Sequence, residues 1–187
     1  MKIVPTQIPE VLLIEPRIFT DPRGHFLEVF HAERYLKEHI GAKFVQDNLS
    51  HSSQGVLRGL HYQLGRPQGK LVTAVVGEIF DVVVDIRHGS PTFGSWTGVV
   101  LSSKNYAQLY VPEGFAHGFC VISAAATVLY KCTDFYAPAE ERGIRWDDPR
   151  LAIPWPVAEP NLSEKDAVYP ALSEVSVEQL PSFEGKR

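Results

Sequence analysis

Several side chains that can transfer protons lie in short apolar runs separated by long stretches of sequence. His61 lies in LRGLHYQ, Lys70 follows a Gly/Pro-rich segment, His117 lies in VPEGFAHGF and Tyr130 in TVLYKCTDFY. An imidazole, with a pKa of about 6.5, accepts a proton at neutral pH, and a phenol, with a pKa of about 10, can donate one. A lysine ammonium can neutralise a developing enolate oxygen. Together these groups could remove a proton next to a carbonyl and return it from the other side.

A metal site is the competing interpretation of the two histidines. VPEGFAHGF, residues 111–119, resembles one of the two metal-binding motifs of cupin-type antiparallel barrels, in which another motif supplies H-x-H and an acidic ligand. Here the corresponding segment reads His61-Tyr62-Gln63, and Lys70 stands near the position of the acidic ligand. Two imidazoles fall short of the usual three protein ligands, and an ammonium repels a divalent cation. We therefore expect no metal.

Each of these residues also has a purely structural interpretation. A histidine on a strand is structural in most proteins, and Tyr130 shares its strand face with Cys132, so it could be a core aromatic. Lys70 could lie in a solvated turn. Asp166 lies in LSEKDA, where Ser163 is a candidate helix N-cap, so its carboxylate could simply stabilise a helix start. Taken singly, none of these residues decides the chemistry.

The scaffold that would position these side chains is predicted to be all-β. Fourteen glycines and fourteen prolines separate short runs rich in Val, Ile, Phe, Tyr and Thr, a pattern typical of an antiparallel sandwich or barrel. The clearest predicted hairpin joins two β-branched runs at Gly77-Glu78, and alternation along its second run allows one face to be buried. Further strands are predicted at 95–102, 107–111, 117–122 and 126–136.

The sequence predicts one domain over residues 1–187. A short helix is expected at 31–41, with Gly41 as its natural stop. The β-barrel core is expected at about 44–136. Beyond it the chain becomes proline-rich with isolated aromatics, which favours a tail segment of about 137–187 packed on the barrel rather than a second domain.

Composition excludes several classes of partner. The net charge of −4 and pI near 6.0, without a Lys/Arg stripe, argue against nucleic-acid binding, although local arginines can still hold a phosphate. The low-charge run from Gly118 to Tyr130 is too short to span a bilayer, and three prolines interrupt the first 19 residues. We read Cys120 and Cys132 as free thiols of a reducing compartment, so we expect a cytoplasmic protein without membrane contact.

Seven segments taken in order closely resemble the dTDP-4-dehydrorhamnose 3,5-epimerase family of nucleotide-sugar enzymes, a resemblance that extends from about residue 10 to residue 170. These segments are DPRGHFLEVF (21–30), FVQDNLSHSSQGVLRGLHYQ (44–63), PQGKLV (67–72), VPEGFAHGF (111–119), VLYKCTDFY (128–136), GIRWDDP (143–149) and LSEKDA (162–167). The resemblance implies a metal-free, cupin-like antiparallel β-barrel or jelly roll with a few short helices. It also implies a homodimer that needs no cofactor and acts on dTDP-4-dehydro-6-deoxy-D-glucose in rhamnose biosynthesis.

The family resemblance also implies residue roles. His61 would be the base with Asp166 as its partner, Tyr130 the acid on the opposite face, and Lys70 the group that stabilises the enolate. Further positions would bind the substrate, with the first two reaching into the neighbouring subunit's site: Arg23, Glu28, Gln46, Asp47, Asn48, Arg58, His117, Glu141 and Lys165.

One pair of these assignments conflicts with regular strand geometry. In a regular strand, Arg58 and His61 would point to opposite faces. Either Gly59 makes a β-bulge that brings both into the pocket, or Arg58 acts from the barrel rim; we favour the bulge.

Three alternative functions remain open at this point. An enzyme that inverts only C3 or only C5 would use the same groups. A metal-dependent cupin enzyme would contain about one metal per chain. A sugar-nucleotide binding module would have no need of the His, Asp, Tyr and Lys set.

Overall fold

The computed structural model describes residues 1–40 and 43–183 and consists mainly of antiparallel strands. The strands are β1 (Lys2–Pro5), β2 (Leu12–Glu15), β3 (Ile18–Asp21), β4 (Gly24–Leu27), β5 (Gln46–Ser53), β6 (Leu57–Gln63), β7 (Lys70–Val76), β8 (Glu78–Asp85), β9 (Trp96–Ser102), β10 (Gln108–Val111), β11 (Phe115–Val121), β12 (Ala125–Cys132) and β13 (Glu141–Gly143). The helices are α1 (Ala32–Lys37) and short 3-10 turns at Pro138–Glu140, Asp166–Val168, Leu172–Glu174 and Val177–Gln179.

Two sheets face each other and form a cupin-like jelly roll, which confirms the predicted fold class. One sheet has the order β1-β2-β10-β7-β12-β5 and the other β13-β6-β11-β8-β9, while β3 and β4 form a separate two-stranded hairpin. Apolar side chains of both large sheets fill the interior between them, among them Val72, Val83, Leu109, Phe115 and Val128. The sheets also take strands from outside residues 44–136, namely β1 and β2 before them and β13 after them.

The hairpin predicted across Gly77-Glu78 is wrong, although both of its strands exist. β7 pairs with β10 and β12, whereas β8 pairs with β11 and β9 in the opposite sheet. Gly77, with a φ of +74°, turns the chain from one sheet to the other so tightly that a Cβ would overlap the carbonyl oxygen of Ala125. Alternation gives the period of a strand but not its partner, so sequence reasoning paired two neighbouring runs by default.

Strand β8 is buried on both faces rather than on one. Ile79 and Val83 face the interior between the sheets. Val82 and Val84 face outward, where the C-terminal segment covers them with Ile144, Leu151, Ile153, Leu172 and Leu180. The proline-rich segment therefore closes the outer face of the five-stranded sheet.

Helix α1 is shorter than the predicted 31–41. It ends at Lys37 because His39 adopts a φ of 59°, the left-handed conformation that terminates helices. The predicted stop, Gly41, lies outside the described residues. Within the described ranges, no helix is long and apolar enough to cross a membrane.

Candidate active site

A cavity of about 720 Å³ opens between the two large sheets, and all four residues of the predicted acid–base set line it. His61 comes from β6 in the five-stranded sheet, and Lys70 and Tyr130 come from β7 and β12 in the six-stranded sheet. Asp166 comes from the C-terminal segment at the start of a single 3-10 turn. Residues more than 100 positions apart thus meet in one concave site, which is the usual form of a small-molecule site.

His61 and Asp166 form a hydrogen-bonded pair, with 2.5 Å between Nε2 and Oδ1. Asp166 is buried, and its backbone N–H donates to the Ser163 hydroxyl at 3.1 Å, as an N-cap predicts, although only a short 3-10 turn follows. Burial works to raise the pKa of Asp166, but the hydrogen bonds from His61 and Ser163 outweigh it and leave that pKa below its usual range. An ionised carboxylate at Nε2 favours the tautomer that carries its proton there, which leaves Nδ1 of His61 as the basic atom.

A β-bulge brings Arg58 and His61 to the same cavity, as predicted. His61 lies opposite His117 and Arg58 opposite Phe119, so β6 contains one more residue than β11 between the two pairs. Gly59 has a φ of +127°, and a Cβ there would lie 2.5 Å from the Gly118 Cα. Only glycine fits both the conformation and the close approach of the two strands.

Lys70 and Tyr130 present polar ends that have no hydrogen-bonding side chain in the part of the chain that the structure describes. Burial lowers the pKa of Lys70, because removal from water disfavours the ammonium. Burial also raises the pKa of Tyr130, because removal from water disfavours the phenolate. Tyr130 therefore keeps its proton at neutral pH and can act as an acid.

His117 has a carboxylate partner, Asp81, that sequence reasoning missed. Nε2 of His117 lies 2.9 and 3.1 Å from the two carboxylate oxygens of Asp81, which is fully buried on β8. The signal in the sequence was a charged residue inside the apolar strand EIFDVVVD, since a buried carboxylate needs a partner. The five-stranded sheet thus carries both histidines, each paired with an aspartate, and His117 lies directly opposite His61.

The predicted substrate-binding residues divide into two groups. Six of them line the cavity: Gln46, Asn48, Arg58, His117, Glu141 and Lys165. Three do not line it: Arg23, Glu28 and Asp47. Asp47 alternates with Gln46 and Asn48 along β5, and its carboxylate lies 2.9 Å from Nζ of Lys131 on the other face of the sheet.

A hydrogen-bonded cluster borders the cavity near Asp166. Glu141 accepts hydrogen bonds from Lys165 at 2.8 Å and from the Tyr136 hydroxyl at 2.9 Å. Burial works to raise the pKa of Glu141, but these two hydrogen bonds outweigh it and leave that pKa lowered. Tyr136 lines the cavity and was not among the predicted site residues.

Arg23 and Glu28 lie away from the cavity, around the β3–β4 hairpin. Arg23 pairs with Asp21 at 2.6 Å, and Glu28 pairs with Arg34. The hairpin lines a separate cavity of about 450 Å³ and exposes two aromatic side chains, Phe26 by 70% and Phe19 by 49%.

Among residues 1–40 and 43–183, no group of three or more His, Cys, Asp or Glu side chains is arranged to hold a metal ion.

Fold and site together define a cupin-like barrel equipped for acid–base chemistry, and comparison with known proteins gives the family. The model of the dTDP-4-dehydrorhamnose 3,5-epimerase family matches residues 5–174. A curated relative of that name from Shigella flexneri is 56% identical over 169 residues, which cover 89% of this chain and 93% of the relative. The chain belongs to the dTDP-4-dehydrorhamnose 3,5-epimerase family.

A solved structure and two further relatives extend this comparison. A crystal structure of a dTDP-6-deoxy-D-glucose-3,5-epimerase from Legionella pneumophila, in complex with dTDP-4-keto-L-rhamnose, has a TM-score of 0.96 and 53% identity, covering 98% of this chain and 99% of that one. A dTDP-4-dehydrorhamnose 3,5-epimerase from Neisseria gonorrhoeae is 56% identical over 89% of this chain. The match covers only about half (51%) of that relative's own length. A relative from Streptomyces niveus named dTDP-4-dehydrorhamnose 3-epimerase is 46% identical, over 89% of this chain and 81% of its own.

Proposed function

We propose that this protein inverts C3 and C5 of dTDP-4-dehydro-6-deoxy-D-glucose and so forms dTDP-4-dehydro-L-rhamnose for dTDP-L-rhamnose biosynthesis. Membership of the family supports the substrate. The observation that carries the chemistry is the 2.5 Å pairing of His61 with Asp166 in a cavity that Lys70 and Tyr130 also line. No oxidation or reduction is involved, because the substrate already contains the C4 ketone that acidifies the hydrogens on C3 and C5.

The first half-reaction is proton removal. Nδ1 of His61 takes the proton from the carbon next to the ketone, and the electron pair of that C–H bond moves into the enolate. The Asp166 carboxylate stabilises the resulting imidazolium through Nε2. The Lys70 ammonium stabilises the negative charge that develops on O4.

The second half-reaction is proton return to the other face of the sugar. His61 belongs to the five-stranded sheet and Tyr130 to the six-stranded sheet, so the two side chains reach the cavity from opposite walls. The phenol gives its proton to the carbanion, and the enolate electrons form the new C–H bond. Solvent then restores both protonation states, so atoms and charge balance over the cycle.

The nucleotide is held by the remaining lining residues. The Arg58 guanidinium can form forked, charge-assisted hydrogen bonds to the diphosphate. Gln46 and Asn48 offer amide groups from β5 at the neighbouring edge of the cavity.

We also propose that the active form is a homodimer in which the β3–β4 hairpin of one subunit completes the site of the other. Arg23 and Phe26 lie outside the cavity of their own chain, and Phe26 is largely exposed. An exposed aromatic and a guanidinium suit a thymine ring and a phosphate. The family resemblance implies the same exchange for Arg23 and Glu28. The free thiols of Cys120 and Cys132 support a location in the cytoplasm.

Product analysis tests the proposed reaction. The purified, EDTA-treated protein is incubated with dTDP-4-dehydro-6-deoxy-D-glucose, the product is trapped by the downstream 4-keto-reductase with NADPH, and the stereochemistry is read by proton NMR. We expect inversion at both C3 and C5. Inversion at one carbon would favour a mono-epimerase, as in the relative from Streptomyces niveus. Activity that depends on added metal would favour a metal-dependent cupin enzyme, and no turnover would favour a binding module.

A further inference from the structure

The imidazole of His61 has a second neighbour besides Asp166. The ring of Tyr169 approaches it edge-on, with 5.8 Å between the ring centroids and 68° between the planes. Tyr169 lies three residues after Asp166, so one short segment of the chain supplies both contacts. The hydrogen bond holds the imidazole at Nε2 alone, and a single hydrogen bond leaves a ring free to pivot about it. A ring packed against the imidazole removes that freedom.

Gly143 makes the room that the Tyr169 ring occupies. It lies on β13 directly opposite His61, and a Cβ at this position would come within 2.6 Å of three carbons of the Tyr169 ring. Gly143 does not have a positive φ, so its backbone conformation suits any residue. A glycine at position 143 is therefore needed for the space that the Tyr169 ring occupies and not for the backbone conformation.

The ring of Tyr169, rather than its hydroxyl, makes this contact. In the described part of the chain, no side chain or backbone group forms a hydrogen bond with the Tyr169 hydroxyl. Burial, with the nearby carboxylates of Glu141 and Asp166, raises the pKa of Tyr169, so the phenol stays neutral over the working range of an enzyme. A phenylalanine would therefore preserve what the position provides.

We propose that Tyr169 is a positioning residue for the proton-abstracting base His61, and that Gly143 is required because it admits the Tyr169 ring. This inference rests on the proposed function, since it concerns the orientation of the base. Because misplacement of a reacting group by about 1 Å can lower a rate about a hundredfold, a partial loss of this support has a measurable effect on kcat. In the proposed function Arg58 and the partner's hairpin, not Tyr169, hold the diphosphate and the thymine, so we expect KM to change little.

Four variants test this positioning role: Tyr169→Leu, Tyr169→Phe, Gly143→Ala and the double variant Gly143→Ala/Tyr169→Leu. We expect Tyr169→Leu and Gly143→Ala to lower kcat by about tenfold at nearly unchanged KM and unchanged affinity for thymidine diphosphate. Tyr169→Phe keeps wild-type kcat. In the double variant, Gly143→Ala causes little further loss, because the ring it displaces is already absent. Thermal unfolding of each variant confirms that it is folded under assay conditions.

Two further readouts separate positioning from a structural role. In NMR spectra of protein with 15N-labelled histidine, the His61 resonances move in Tyr169→Leu and Gly143→Ala, and those of Tyr169→Phe stay close to wild type. A folded Tyr169→Leu protein with wild-type kcat and unchanged His61 resonances would overturn the proposal, as would losses that multiply in the double variant. If Tyr169→Leu does not fold, Gly143→Ala and Tyr169→Phe carry the test. The proposed function fails separately, if His61→Ala retains wild-type turnover.

Discussion

His61 illustrates how environment rather than residue type decides a role. Sequence alone left a lone histidine on a strand between a base and a structural residue. In the structure its Nε2 is held by the buried Asp166, and Nδ1 forms no hydrogen bond with the described residues. Lys70 and Tyr130 line the same cavity. Burial lowers the pKa of Lys70, whose charged form is a cation, and raises the pKa of Tyr130, whose charged form is an anion.

The pH dependence of activity follows from those directions. In the proposed mechanism Lys70 must be protonated to stabilise the enolate, and burial lowers its pKa from the ordinary lysine value of about 10.4. Activity is present below this lowered pKa and is lost as the pH rises through it. In that mechanism Tyr130 must also be protonated, and burial raises its pKa. We therefore assign the first alkaline limb of the kcat–pH profile to Lys70. We expect this limb below about pH 10.4.

Replacement of Lys70 checks the assignment. The Lys70→Gln protein should have a kcat lower by about a hundredfold, and its residual activity should lack the first alkaline limb. Retention of the same limb in a folded Lys70→Gln protein would show that another group controls it.

At the scale of elements, the bulge in β6 brings Arg58 and His61 into one cavity, whereas a regular strand would point them to opposite faces. The tension between Arg58 and His61 could be seen in the sequence, and Gly59 pointed to its solution. The pairing of β7 with β10 and β12 could not be seen, because alternation carries no information about which distant strand is the partner.

A substitution at Gly59 tests the bulge. Gly59→Ala places a Cβ against Gly118 at a φ of +127°. We expect the free energy of unfolding to fall by about 3 kcal/mol, from strain and overpacking together. The matched control is Gly89→Ala, which has a positive φ of +84° but open space around its Cβ and should lose only about 1 kcal/mol. Equal losses in denaturant unfolding would show that close strand packing at Gly59 is unimportant.

At the scale of the whole molecule, the jelly roll and the polar residues that line its cavity could largely be predicted from the sequence. Individual contacts between side chains could not. Glycine and proline punctuation with short β-branched runs indicates the fold class, and the family resemblance supplied the main site residues. Asp81 and Tyr169 were missed because each contacts a histidine that is distant in the chain, and no local pattern reports such a contact.

Heterodimers test the shared site that we propose. One chain carries His61→Ala and the other Arg23→Ala, and the two are co-expressed with different tags and purified in tandem. If the hairpin crosses to the partner, one of the two sites in each heterodimer contains both wild-type residues. We expect about half the wild-type activity per dimer at substrate concentrations below KM, well above either parent dimer. Activity no higher than the mean of the two parents, or a monomer by sedimentation, would contradict the exchange.

Solvent deuterium exchange tests the central claim most directly, which is that His61 removes the protons next to the C4 ketone. Wild type, His61→Ala and Tyr130→Phe are each incubated with dTDP-4-dehydro-6-deoxy-D-glucose in D2O, and deuterium at C3 and C5 is followed by proton NMR and mass spectrometry. We expect exchange at both carbons in wild type and none above background in His61→Ala. Tyr130→Phe should retain exchange better than inversion, because exchange can occur on a single face. Wild-type exchange by folded His61→Ala would contradict the account, and complete loss in both variants would remove Tyr130 as the opposite-face acid.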